Sequence, residues 1–194
     1  MKALVYVLET VFNLFVLAAL MRFYAQALRA PFRNPIADFV VSLTDFLVKP
    51  ARKIIPSAMG FDTASFIVAW AAEGLLLVVI YTLIASETLL HPGFWPTIVV
   101  LALLKLLKLT IYLLMGVVVV QAVLSWFSPY HPIRPFFDAL SRPFLRPIQK
   151  VLPMVGNVDL SPLVLWIALQ VILMGPMAWL ELEAERVLPR LFGA

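Results

Sequence analysis

The chain has 194 residues, of which 63% are hydrophobic and only 13% are charged. A soluble domain carries about 25% charged residues, and a core of this size cannot bury so much apolar surface. This excludes a soluble globular fold and predicts an all-α membrane protein. The absence of cysteine excludes disulfides, thiolate metal sites and cysteine nucleophiles. The formal charge of +4 is typical of a membrane protein with basic cytoplasmic loops.

Four segments are long and apolar enough to cross a bilayer. A span needs about 20 mostly apolar residues, and in lipid it must form a helix to satisfy its own backbone hydrogen bonds. The predicted spans cover about 3–28, 65–86, 97–127 and 162–180. The third is the longest, and Lys105 and Lys108 interrupt its first half. We interpret it as one long helix; the alternative is a separate interfacial helix that ends near Lys108.

Two long connections, 29–64 and 128–161, are rich in proline and basic residues. Together they carry nine lysines and arginines, whereas the connection 87–96 carries none. Because basic loops stay in the cytoplasm, both connections are predicted to be cytoplasmic and both termini to lie outside. The basic residues nearest the termini, Lys2, Arg186 and Arg190, argue weakly against this orientation.

The two connections contain one block of sequence twice, 97 residues apart. Pro35, Pro50 and Pro56 fall on Pro132, Pro147 and Pro153, while Asp62 falls on Asp159 and Lys53 on Lys150. Upstream of this block the match fades without a gap. The pattern predicts two repeats, 1–96 and 97–194. Each repeat contains two spans, so the two copies are expected to lie parallel, related by an axis along the membrane normal.

Each connection is predicted to place an amphipathic helix on the inner membrane surface. Over residues 36–47, Ile36, Phe39, Val40, Leu43 and Leu47 share one helical face. Prolines at both ends of the segment 51–55 are expected to break the helix and stiffen the segment. Its two cations suit anionic headgroups, at about 1 kcal/mol each.

We call the predicted lipid- or partner-binding surface of both copies the basic platform. The alternative is a structural corner, in which the aspartates only cap the spans that follow them. The platform consists of Pro50, Arg52, Lys53, Pro56, Asp62, Arg146, Pro147, Lys150, Pro153 and Asp159.

The repeated block resembles the YggT family of bacterial inner-membrane proteins over nearly the whole chain. The first copy reads Pro35…Thr44…Pro50-x-Arg52-Lys53-Ile54-Ile55-Pro56…Gly60-x-Asp62. The second reads Ser125-Trp126…His131-Pro132…Pro143…Arg146-Pro147…Pro153…Gly156…Asp159-Leu160-Ser161-Pro162. The first copy departs from the family pattern at Asp45, where a proline often stands, and at 63–65, where the family has Leu-Ser-Pro. The second departs at Gln149, where arginine is common.

This resemblance implies a multi-pass protein of the bacterial inner membrane without an established enzymatic activity. Relatives in the family are linked to cell division or nucleoid organisation, to assembly of a plastid cytochrome complex, and to osmotic or potassium homeostasis. The resemblance therefore implies the class of protein and leaves several processes open.

Polar side chains inside the spans are functional candidates, because lipid makes them costly. A rise of about 1.5 Å per residue gives the depth of each polar side chain in the membrane. These depths predict two groups of polar side chains. The outer group is a pair, Glu9 with Lys105. The inner group is a cluster of Arg22, Glu73, Gln121 and Gln170. The preferred interpretation of Glu73 is structural: it pairs with Arg22, or is protonated and hydrogen-bonded between helices, and fixes their register. The functional alternative is that Glu73 binds a cation or relays a proton.

The sequence contains no Gly-rich phosphate loop, cysteine cluster or Ser–His–Asp order, so no enzyme, cofactor, catalytic residue or metal site is predicted. The basic loops lack a recognised nucleic-acid module, so no nucleic acid is expected. The preferred function is a non-catalytic scaffold or assembly factor that contacts the anionic inner leaflet and a membrane-protein partner or a second copy. The alternative is a small channel or transporter, or a subunit of one, for potassium or protons, formed by an oligomer.

Overall fold

The computed structural model describes residues 2–57, 60–84, 93–152 and 159–191. Within these residues all regular secondary structure is helical, except for an isolated bridge residue at Phe61. The helices are α1 (Lys2–Ala27), α2 (Pro35–Ile54), α3 (Thr63–Ile84), α4 (Phe94–Phe127), α5 (Arg134–Gln149), α6 (Ser161–Ile172) and α7 (Ala178–Leu191). A π-helical turn, Leu173–Met177, joins α6 to α7. The predicted all-α fold is confirmed.

Four stretches of helix are long and apolar enough to span a membrane: α1, α3, α4 and Ser161–Ala184. Their outer surfaces carry exposed apolar side chains such as Val11, Leu75, Val123 and Ile167, as lipid-facing helices do. The four predicted spans are therefore confirmed. The chain is a multi-pass membrane protein.

The third span is one continuous helix of 34 residues, so the interpretation of one long helix is confirmed. At 1.5 Å per residue it is about 50 Å long, which exceeds a hydrocarbon core of about 30 Å. In the fourth span the π-helical turn surrounds Pro176. A π-helical turn absorbs the missing N–H and the ring of a proline without ending the helix.

Each repeat is a unit of three mutually packed helices: α1, α2 and α3 in the first, and α4, α5 and α6 in the second. The units meet where α4 packs against α1 and α3, and where α5 touches α1. Among the described residues α3 and α6 make no contact, because α6 lies on the other side of α4. The order of elements is the same in both units, as expected for two parallel repeats.

The expectation that Pro50 ends the first amphipathic helix is wrong. Helix α2 continues through Pro50 to Ile54, and α5 likewise contains Pro143 and Pro147. A proline in the last turns of a helix removes one hydrogen bond, and side-chain contacts of the same turn offset this loss. Pro56 follows the end of α2, and Pro153 lies outside the described residues.

An ion pair inside the membrane region joins the third and fourth spans. The ammonium Nζ of Lys108 lies 2.7 and 2.8 Å from the two carboxylate oxygens of Glu181 on α7. Both side chains are partly buried. The pair therefore fixes α7, and with it the helix beyond the π-helical turn, against the middle of α4.

We expect Glu181→Ala to lower the free energy of unfolding in detergent by roughly 2 kcal/mol, because Lys108 then lacks a counter-charge in an apolar setting. Thermal unfolding followed by circular dichroism measures this loss. The exchanged pair Lys108→Glu/Glu181→Lys is the control and is expected to recover most of the stability. No recovery in the exchanged pair would show that the contact is not electrostatic.

Candidate functional site

The side chain of Arg22 joins the three helices of the first repeat at the end of the bundle that holds α2. It is only 4% exposed. Its Nη1 donates hydrogen bonds of 2.8 Å to Thr44 Oγ1 and to Asp45 Oδ1 on α2. Its Nε lies 3.8 Å from Oδ2 of Asp62, the residue before α3. A buried guanidinium needs such partners, since an unpaired charge in an apolar interior is strongly unfavourable.

Asp62 receives hydrogen bonds from two further residues. Arg52 Nε donates to Oδ1 at 3.2 Å, Arg52 Nη2 donates to Oδ2, and Ser65 Oγ donates to Oδ2 at 2.5 Å. Burial opposes ionisation, but the hydrogen bonds from Arg52 and Ser65 outweigh it and hold the pKa of Asp62 below its ordinary value. The Ser65 N–H also donates to Oδ1 at 3.4 Å. An ionised Asp62 therefore caps the first turn of α3.

The second repeat contains the same contact with a neutral donor. Gln149 Nε2 donates to Asp159 Oδ2 at 2.7 Å, and the Ser161 N–H donates to Asp159 Oδ1 at 2.9 Å. Burial opposes ionisation of Asp159, yet the bonds from Ser161 and Gln149 hold its pKa below the ordinary value. Under the shift of 97 residues, Gln149 and Asp159 are the counterparts of Arg52 and Asp62. We call this contact the aspartate clamp.

Upstream of the aspartate clamp the two repeats differ in length by two residues. Five buried positions of α1 recur in α4 at a shift of 99, not 97. Thus Val16, Ala18, Ala19, Arg22 and Ala25 match Met115, Val117, Val118, Gln121 and Leu124. The expectation of no gap upstream of the repeated block is therefore wrong, because the buried positions there recur at a shift of 99. The connection that follows the first span tolerates the difference in length because it lies at the surface. Gln121 is the counterpart of Arg22.

A polar cavity of about 320 Å³ lies beside Gln121 in the second repeat. Gln121 is only 7% exposed, and its Nε2 donates to Asp138 Oδ1 at 3.3 Å. Its Oε1 has no hydrogen-bond partner in the part of the chain that the structure describes. Arg134 Nε in turn lies 3.3 Å from Asp138 Oδ2. We call this space the second-repeat cavity; it is lined by Gln121, Ser125, Arg134, Asp138, Ser141, Arg142, Leu145, Gln149 and Asp159.

The remaining cations of the basic platform face outward. Lys53, Arg146 and Lys150 are exposed, and no carboxylate of the described residues forms an ion pair with them. Arg52 differs, because it is committed to Asp62. Residues 2–57, 60–84, 93–152 and 159–191 hold no group of three side chains suited to a metal ion. The basic platform thus contains two kinds of residue. Some are held by hydrogen bonds within the protein, and the exposed cations are free to contact lipid or a partner.

The structure divides the intramembrane polar residues differently from the two predicted groups. Glu73 is 1% exposed, and its Oε1 lies 3.9 Å from Lys105 Nζ. Glu9 is close enough to interact electrostatically with Glu73. The other carboxylate oxygen of Glu73, Oε2, has no hydrogen-bond partner among the described residues. Lys105 therefore pairs with Glu73 and not, as predicted, with Glu9.

Arg22 and Gln170 do not join Glu73. Arg22 contacts Asp62, which precedes Glu73 by eleven residues, or about 16 Å along a helix. Gln170 lies on α6, which does not pack against α3, and the described residues form no hydrogen bond with its side chain. Depth along the membrane normal is therefore a poor guide to contacts when the neighbours of each helix are unknown.

We expect Arg22→Gln, which introduces the residue of the second repeat, to lower the free energy of unfolding by about 3 kcal/mol, because Asp45 and Asp62 lose a buried counter-charge. Lys49→Gln is the matched control. Lys49 pairs with the same Asp45 but is 71% exposed, so its loss should cost less than about 1 kcal/mol. Denaturation in detergent measures both changes; equal losses would contradict the buried role of Arg22.

Comparison with known proteins agrees with this duplicated architecture. The model of the CCB3/YggT family matches residues 1–83 and 100–180, two segments whose starts differ by 99 and whose ends differ by 97. An Escherichia coli protein named "Uncharacterized protein YggT" is 34% identical over 195 residues, covering 100% of both chains. A Vibrio alginolyticus protein named "Uncharacterized protein in proC 3'region" is 35% identical over 171 residues, covering 88% of this chain and 91% of its own. No solved structure matches the chain. The two matched segments and the full-length relatives show that the chain belongs to the CCB3/YggT family.

Proposed function

We propose that the chain is a non-catalytic scaffold or assembly factor of the bacterial inner membrane, with both termini outside the cytoplasm. It presents α2 and α5 to lipid and to a membrane-protein partner at the cytoplasmic face. The aspartate clamp carries this proposal, because both repeats use it to hold an extra, non-spanning helix against the next span. A rigid helix at the membrane surface is a suitable support for a partner, since little order is lost on binding.

The surface of α2 supports the proposal. Val40, Thr44 and Val48 face the bundle and are buried, whereas Phe39 and Phe46 are each 65% exposed. A helix with apolar side chains on its outer surface is stable only where lipid or protein covers them. The exposed cations of the platform lie at the ends of the two surface helices, where anionic headgroups or acidic partner residues would meet them.

The clamp residues and the exposed cations have separate roles in this proposal. Arg52, Asp62, Gln149 and Asp159 hold the helices in place. Lys53, Arg146 and Lys150 form the contact surface, since they have no internal ion pair among the described residues. A test of the platform therefore has to leave Arg52 intact, because its loss would disturb the fold as well as the surface.

We expect the triple variant Lys53→Gln/Arg146→Gln/Lys150→Gln to fold normally and to lose its partner. Quantitative pull-down of the tagged protein from native membranes, analysed by mass spectrometry, should show a near-stoichiometric partner reduced by about tenfold or more, at about 1 kcal/mol per cation. The control Lys2→Gln/Arg186→Gln removes cations on the other predicted side and should retain the partner. A homo-oligomer without a partner, or a partner retained by the triple variant, would contradict the proposal.

Transport is a second candidate function, and one observation favours it. Glu73 lies in the middle of a span, is buried, and keeps one carboxylate oxygen without a partner beside Lys105. Buried ionisable residues of this kind often belong to ion pathways. Four spans enclose little of a pore, so this function would need an oligomer.

We expect liposomes with the wild-type protein to show the same potassium and proton flux as protein-free liposomes. We also expect Glu73→Gln to capture as much partner as the wild type, because Glu73 then serves only helix packing. Glu9→Gln is the matched control for removing a carboxylate nearby. A flux that the wild type supports and Glu73→Gln abolishes would replace the scaffold by a transporter.

A further inference from the structure

The second-repeat cavity corresponds position by position to the surroundings of Arg22. Gln121 stands where the first repeat has Arg22, but its side chain is shorter and leaves the space beyond it open. The cavity residues Ser125, Ser141, Arg142, Leu145, Gln149 and Asp159 are the counterparts of Gln26, Thr44, Asp45, Val48, Arg52 and Asp62.

These replacements leave two charges of the cavity without a charged partner. In the first repeat Asp62 lies beside both Arg22 and Arg52. In the second, Asp159 accepts hydrogen bonds from Gln149 and Ser161, which are both neutral, and from no other side chain of the described residues. Arg142, which replaces an aspartate, forms no ion pair with any carboxylate of the described residues. Arg142 is exposed and Asp159 is partly buried. A cation and an anion that have no charged partner among the described residues therefore line one cavity, with the cation open to a ligand.

The other polar groups of the cavity add an unused acceptor. Gln121 Oε1 is buried and lacks a donor among the described residues, which is unfavourable for a carbonyl oxygen removed from water. Arg134 and Asp138 neutralise each other across one wall. What the cavity lacks is a ligand with a positive end that donates hydrogen bonds and a negative end that accepts them.

We propose that the second-repeat cavity binds the zwitterionic phosphoethanolamine headgroup of a membrane lipid. The primary ammonium, which has three N–H donors, takes the place of the Arg22 guanidinium and donates to Asp159 and Gln121 Oε1. The phosphate accepts hydrogen bonds from Arg142, as phosphates commonly do from arginine. The same ligand therefore satisfies the anion, the cation and the unused acceptor.

The position of the cavity favours a lipid over a free zwitterion. Ser125 is two residues from the end of α4, and Asp159 is two residues from the start of α6. This is the depth at which headgroups lie. Exposed Phe144, which lies on α5 beside the lining residues Arg142 and Leu145, provides apolar surface for an acyl chain. The inference does not rest on the proposed scaffold function, because it needs no protein partner.

Native mass spectrometry of the purified full-length protein, titrated with defined lipids in detergent, tests the proposal. We expect phosphatidylethanolamine to bind about tenfold more tightly than phosphatidylcholine, whose quaternary ammonium has no N–H, and than phosphatidylglycerol, which has no cation. Arg142→Gln should weaken the binding of phosphatidylethanolamine by about tenfold, since it removes the group that holds the phosphate. Arg33→Gln, which removes an exposed arginine outside the cavity, is the matched control.

The decisive variant is Gln121→Arg/Arg142→Asp, which copies the first repeat into the second. We expect it to fold with undiminished thermal stability and to lose the preference for phosphatidylethanolamine, because its own guanidinium fills the cavity. Retention of the preference in this variant would overturn the proposal, as would equal binding of the three lipids. Tighter binding of phosphatidylglycerol would identify an anion site instead. Equal affinity for water-soluble glycerophosphoethanolamine would overturn the assignment to a lipid.

Discussion

The first repeat depends on the burial of one positive charge between three helices. An arginine removed from water is tolerated only if carboxylates and hydroxyls surround it. Arg22 obtains these from α2 and from the residue before α3. The requirement fixes the rotation of α1 about its axis and the position of α2, because a small displacement of either would leave a buried charge unpaired. Apolar packing alone does not impose this, since lipid solvates apolar side chains as well as protein does.

The second repeat keeps the same packing without the buried arginine. Its interior contains an apolar cluster that includes Met115, Val118, Leu145 and Leu165, and the clamp from Gln149 to Asp159 holds α5 to the start of α6. The aspartate clamp is therefore the interaction that both repeats share. In the first repeat Arg22 adds a further contact between the helices. In the second repeat no arginine stands at this place, and a polar cavity lies there beside an intact fold.

Much of the fold follows from the sequence because lipid restricts the choices. Long apolar segments must be helices, and prolines in register reveal the duplication. The contacts of the polar residues do not follow in the same way. Both faces of a spanning helix are apolar, so hydropathy does not indicate which face is buried or which helices are neighbours. Lys105 could be assigned a depth, but its pairing with Glu73 required the packing of α3 against α4.

Other features of the site could not be predicted from the sequence, also for physical reasons. The two-residue difference between the repeats lies in the connection after the first span, and the apolar spans upstream of it look alike in many alignments. The sequence alone therefore does not identify Gln121 as the counterpart of Arg22. The helix through Pro50 depends on contacts that the segment itself does not encode. One signal was present: Asp45 departs from the usual residue of its family, and a charge at that place is the partner that a buried arginine requires.

The asymmetry of the two repeats has a consequence for how such a protein can change over generations. In a molecule made of two fused copies, the first can conserve the fold while substitutions accumulate in the second. Gain or loss of a buried charge in a protein with one copy would risk the whole bundle, whereas the same change in one of two fused copies leaves the other copy to maintain the architecture. Duplication within one chain thus permits a new pocket to arise in a membrane, where each buried polar group is otherwise difficult to alter.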